Sequence, residues 1–189
     1  YGIACDLKPG FVQVATRQRQ LADIDEYVEE RVRHNHPYKY EAWDREQTSD
    51  NLGTDAFLGA FACYRDGHLH PLNLCIGEAR AAQALGVKIF DNLQSWESTT
   101  APGLGQNDAW QIDADSSGLA GNAYSQFEPH HLANRVFPAG TYIIATEPLP
   151  EEIAYSINKK DAAVCDLNEI VNYYRLSADR RLLYGGACN

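Results

Sequence analysis

Ile170-Val-Asn-Tyr-Tyr-Arg-Leu176, Ser177-Ala-Asp-Arg180 and Leu182-Leu-Tyr184 form the most legible stretch of this chain. Two runs rich in β-branched and aromatic residues flank a short polar turn, and that pattern predicts an antiparallel hairpin. Side chains alternate along a strand, so Tyr173 and Arg175 should share one face while Tyr174 points to the other. Just upstream, Thr141-Tyr-Ile-Ile-Ala-Thr146 reads as a further strand, and Pro148-Leu-Pro-Glu-Glu152 as the opening of a short helix.

Outward from there the signals mix. Phe11–Ala15 follows Pro9-Gly10 and reads as a short strand. Thr16 is placed to cap a helix over residues 17–33, with Leu21, Ile24, Val28 and Val32 at helical spacing and His34-Asn-His36-Pro37 as its stop. Residues 37–55 read as polar and irregular, Phe57–Tyr64 as a strand, and Asp66-Gly67 as a turn. Pro71 suits a first helical turn. Leu72, Cys75, Ile76, Ala79, Ala82 and Leu85 supply an apolar stripe, Gly86 a left-handed end, and Val87–Phe90 a short strand. The fold class expected is α+β, a mixed and largely antiparallel sheet with flanking helices.

The totals narrow the function classes. Of 189 residues, 44% are hydrophobic and 22% charged, an ordinary globular balance. A net charge of -10 leaves no cationic surplus to displace phosphate counterions, which argues against nucleic acid. No apolar run approaches the roughly 18 residues of a membrane span, and no secretion signal opens the chain. Cys5, Cys63, Cys75, Cys165 and Cys188 are odd in number, widely spaced and without a C-x-x-C, so reduced thiols in a cytoplasmic protein are expected. The chain opens on Tyr1-Gly-Ile-Ala-Cys5 and stops just after an apolar run, as an internal fragment would.

Three features tempt a site reading. Gly103-x-Gly105-x-x-Asp108 lacks the third glycine and a preceding strand, so it reads as a loop rather than a dinucleotide motif. His68 and His70 alternate on one extended face, but a zinc site needs three or four ligands and no others declare themselves; no metal is expected. His130-His131 reads as a solvated pair. No Ser/His/Asp or Cys/His nucleophile set is suggested.

Several phrases then carry a resemblance: Gly67-His-Leu-His-Pro-Leu-Asn-Leu74, Gly77-Glu-Ala79, Ala120-Gly-Asn-Ala-Tyr124, Pro138-Ala-Gly-Thr-Tyr-Ile-Ile-Ala-Thr-Glu-Pro-Leu149, Asp166-Leu-Asn168 and Tyr173 through Gly186. In that order and spacing the chain resembles the middle of the gamma-glutamylputrescine oxidoreductases, within the D-amino-acid-oxidase-like FAD-dependent flavoproteins. The likeness covers nearly everything except about residues 91–118. It implies one compact unit over 1–189, with 1–66 and 137–189 in the substrate domain and 67–136 an excursion toward the FAD domain. It implies FAD in the parent protein and a small-molecule amine substrate whose C–N bond is oxidised. The resemblance also places Gly121 and Asn122 close to the cofactor, and puts Tyr173 and Arg175 on the sheet that roofs the flavin. An arginine there suits a substrate carboxylate, because its planar fork binds both oxygens. The chain carries no Gly-x-Gly-x-x-Gly of its own, so no FAD is expected on the fragment alone.

Overall fold

Two strands of the larger unit carry most of its buried core. They are β1 (Lys8–Ala15) and β3 (Gly59–His68), paired antiparallel in a computed structural model. The structure describes residues 1–91, 97–98, 104–107, 110–113, 116, 118, 120–122, 135 and 139–187. Val12 and Val14 of β1 and Ala60 and Ala62 of β3 enter one cluster with Trp43, Leu52, Ala162 and Val164. Ala15, Phe61 and Cys63 enter a second with Ile24 of α1 (Gln20–Arg33). Gly59–Cys63 of β3 is buried on both faces, which explains why that run lacks polar alternation.

The full sheet has seven strands in the order β2-β3-β1-β8-β9-β10-β7. The remaining members are β2 (Tyr40–Trp43), β7 (Thr141–Ala145), β8 (Ala163–Asp166), β9 (Tyr173–Leu176) and β10 (Leu182–Ala187). β1 and β8 run parallel; every other pair described in the sheet is antiparallel, as the fold class expected. The expected hairpin forms, but its first strand begins at Tyr173 rather than Ile170 and its second runs on to Ala187, with Leu182 opposite Leu176, Leu183 opposite Arg175, and Tyr184 opposite Tyr174. Around the sheet lie α1, α2 (Arg45–Leu52), α3 (Pro71–Ala84) and α4 (Glu151–Ile157). A separate antiparallel sheet holds β4 (Glu97–Ser98), β5 (Leu104–Asn107) and β6 (Trp110–Asp113).

Several sequence expectations are corrected. The chain forms two compact units rather than one: Tyr1–Leu85 with Thr141–Asn189, and Gly86–Gly140. Thr16 does not cap α1, which starts at Gln20. Instead the Gln20 Oε1 accepts from the Thr16 and Arg17 amides at 2.8 and 2.9 Å, while its Nε2 donates to the Leu167 carbonyl at 2.7 Å. Residues 37–55 are not irregular but hold β2 and α2, and α2 opens on a capping box between Asp44 and Gln47. Asp66-Gly67 is no turn, because β1 continues to Lys8 past a register shift and keeps β3 paired through His68. Val87–Phe90 forms no strand; Val87, Ile89 and Phe90 are exposed and find no partner strand among the described residues. Gly105, read as loop, pairs within β5. Gly86 takes φ 93 behind α3, as its role at the helix end requires. Cys5, Cys63, Cys75 and Cys165 are free thiols. Gly103 and His130-His131 lie outside the described residues.

Beside β3, Glu41 collects three donors: Lys39 Nζ at 2.9 Å, Trp43 Nε1 at 3.1 Å and the Tyr64 hydroxyl at 2.9 Å. The lysine and the indole N–H are the main reasons its carboxyl falls to about 2. Burial first, then Glu41, pushes the Tyr64 phenol up to about 12. A carboxyl depressed by folding stabilises fully above its unfolded value of 4.5 and loses that effect as pH falls toward 2. Stability between pH 4.5 and 2 should therefore decline less steeply in Glu41→Gln than in the parent. Urea midpoints across that range test this.

Candidate functional site

Strand register assembles one row of side chains after another. Phe11 lies opposite Ala163; Cys165 opposite Tyr173, Tyr173 opposite Gly185, and Gly185 opposite Ile143; Arg175 lies opposite Leu183. Directly opposed residues share a sheet face, so these side chains point the same way. All of these but Gly185 line a cavity of about 670 Å³, together with Asp6, His70, Asp179 and Arg181. The other face carries Val164, Tyr174 and Tyr184. There Tyr174 packs on the Val12 cluster and stacks with Tyr184, ring centroids 6.5 Å apart and planes 10° off parallel. Burial is the main reason the Tyr174 phenol is raised out of its ordinary range.

The structure thus brings Tyr173 and Arg175 together on the cavity face and sends Tyr174 away. Tyr173 lies over Gly185, where a Cβ would overlap the Tyr173 ring. The glycine is the space the aromatic ring fills. Gly185→Ala is expected to swing the ring aside with a stability change below about 1 kcal/mol, since the obstructed group is the far end of a side chain rather than backbone. A crystal structure of the variant showing Tyr173 unmoved would contradict that.

Arg175 is held by neutral acceptors. Its Nη1 donates to the Leu176 carbonyl at 3.3 Å and reaches His68 Nδ1 at 3.4 Å. Among the described residues no carboxylate lies within 4 Å of it, whereas Arg181 is paired with Asp179 at 2.8 Å. The Asp179 carboxyl is lowered, first by the Ser177 hydroxyl and then by Arg181. Cys165, on the same wall, is pushed up to about 11 by burial and by the neighbouring Asp166, so it stays a thiol and is no nucleophile at neutral pH.

The other sequence candidates fall elsewhere. Gly121 and Asn122 lie in the second unit, both exposed, with Asn122 at φ 47. His68 is buried at the end of β3 while His70 caps α3, its Nδ1 accepting from the Asn73 amide at 3.2 Å, so the pair is not a joint ligand set. No group of three His, Cys, Asp or Glu residues is arranged to hold a metal among the described residues. Phe11, Ile143, Cys165 and Leu183 were missed as cavity residues. Alternation within each strand was the available signal, but which strands are neighbours was not written in any of them.

Among the described residues no helix start is shaped as a pyrophosphate cradle. The first turn of α3 is already capped by an imidazole and opens on proline, and no glycine-rich turn precedes a described helix. No helix among the described residues is long and apolar enough to cross a membrane.

Solved structures share this fold. The chain superposes on glycine oxidase from Geobacillus kaustophilus with TM-score 0.74 at 16% identity, over 98% of this chain and 49% of that one. It superposes on L-proline dehydrogenase from P. horikoshii with TM-score 0.75 at 12% identity, over 99% and 50%. At these identities the likeness shows the fold. The sequence is closer to gamma-glutamylputrescine oxidoreductase of Escherichia coli (strain K12), 38% identical over 189 residues, and to the probable oxidoreductase OrdL of Haemophilus influenzae, 36% over 196 residues. Each match covers 98% of this chain and 44% of the relative, so the chain spans less than half the length of these proteins. The family model described as DAO, FAD dependent oxidoreductase, matches residues 1–189, and the chain belongs to that family.

Proposed function

We propose that this chain supplies the substrate-side sheet of a cytoplasmic FAD-dependent amine oxidoreductase acting on gamma-glutamylputrescine or a related amine. The observation that carries this is Arg175, a guanidinium on a cavity wall with hydrogen-bond acceptors but no carboxylate beside it among the described residues. Such a cation is completed by an anionic ligand, and a glutamyl carboxylate fits its fork. Tyr173, Phe11 and Leu183 offer apolar wall for an aliphatic amine chain. FAD, when bound, supplies the two-electron acceptor for the C–H next to nitrogen. Gly121 and Asn122 are proposed to lie near it. The 38% identity to the Escherichia coli enzyme supports the choice of substrate over other secondary amines and amino acids.

The test is the visible spectrum of the full-length flavin-loaded protein under anaerobic conditions. Adding gamma-glutamylputrescine should bleach the oxidised flavin bands; bands left unchanged by it would refute the substrate. The isolated 189-residue chain, which carries no Gly-x-Gly-x-x-Gly, is expected to elute colourless from gel filtration in excess FAD.

A further inference from the structure

We infer that His68 is a positioning residue for Arg175, setting where the substrate carboxylate is received. This rests on the reading of Arg175 as the carboxylate anchor. His68 is 7% exposed, and its Nε2 lies 2.7 Å from the Asp161 carbonyl oxygen. A carbonyl can only accept, so Nε2 carries the ring hydrogen. In the neutral ring Nδ1 is then a lone pair, and it faces Arg175 Nη1, which can only donate, at 3.4 Å. The two contacts, made independently on opposite sides of the ring, require the same tautomer.

The carbonyl that fixes that tautomer is itself fixed. Asp161 sits at φ 47, and its Oδ2 accepts from Lys8 Nζ at 2.7 Å. β1, β3 and the turn before β8 are thereby tied to a guanidinium on β9. An acceptor that carries no charge orients Arg175 without neutralising it. A carboxylate in the place of His68 would compete with the ligand; an imidazole lone pair leaves the full cationic charge for the ligand.

Two substitutions separate the two sides of the ring. Glutamine can place an amide N–H near the position of Nε2 but offers nothing at Nδ1; asparagine places an oxygen near Nδ1 but cannot reach Asp161. In the full-length holoenzyme, His68→Gln is expected to raise KM for gamma-glutamylputrescine by about tenfold, with kcat within about twofold. KM for N-acetylputrescine, which lacks the carboxylate, should stay unchanged. His68→Asn is expected to keep KM for gamma-glutamylputrescine within about twofold while lowering Tm, because the Asp161 bond is lost. If His68→Gln leaves both KM values unchanged while Arg175→Ala raises the first, His68 is only structural and the inference fails. Should His68→Gln not fold, His68→Asn decides: a KM rise as large as that of Arg175→Ala overturns the inference. Unchanged KM in Arg175→Ala would overturn the anchor reading and this inference with it.

Discussion

Replacing Arg175 by alanine in the full-length flavoenzyme is expected to lower kcat/KM for gamma-glutamylputrescine by roughly 10² or more, with flavin content unchanged. The size follows from what is left behind. Arg175 stands on the cavity wall with one carbonyl and one imidazole lone pair, and no acidic partner among the described residues. A ligand carboxylate that enters such a wall loses water and regains a charge-assisted, two-point contact. Without the guanidinium that carboxylate is desolvated and unpaired. Lysine should restore only part of the rate, because it keeps the charge and loses the fork. Were Arg175 a surface cation matched with a nearby acid, its removal would change kcat/KM by no more than about twofold, as for most exposed pairs. Normal flavin absorbance together with unchanged kcat/KM would therefore remove Arg175 from the site.

The largest stability loss should come from Asp166→Ala. This carboxylate is 7% exposed and accepts four hydrogen bonds. The Asn168 and Asn172 amides donate to Oδ1 at 3.2 and 3.1 Å, and their side-chain Nδ2 groups to Oδ2 at 2.6 and 2.8 Å. One short side chain thus closes the loop between β8 and β9 and delivers Tyr173 to its strand. Alanine leaves two partly buried backbone N–H groups without acceptors, at about 3 kcal/mol. Asparagine should lie between, since one of its two terminal atoms can still accept. Equilibrium urea unfolding measures the difference. A loss below about 1 kcal/mol would show that water replaces the carboxylate at this loop.

What was legible locally came out well. The Ser177–Arg180 turn between two β-rich runs gave a hairpin in register, and Pro71 with Gly86 bracketed α3. α2 was missed although Asp44-x-x-Gln47 announces its start, because only Thr48 and Leu52 are buried and no apolar stripe marks it. β8 was missed because four residues carry too short an alternation to register.

The sequence by itself determined that Tyr173 and Arg175 point one way and Tyr174 the other, since a strand's period of two needs no partner to be true. Its ordered phrases likewise carried the family to which the chain belongs. Only the tertiary structure decided what each of those faces meets. Val164 and the Val12 cluster cover Tyr174, leaving the Arg175 face to Phe11, Cys165 and Ile143 from other strands. It also decided that His68, 107 residues before Arg175, is the neighbour of its guanidinium. Such pairings follow from strand order and register across a sheet, and these non-local contacts leave no periodic mark on the segments they join.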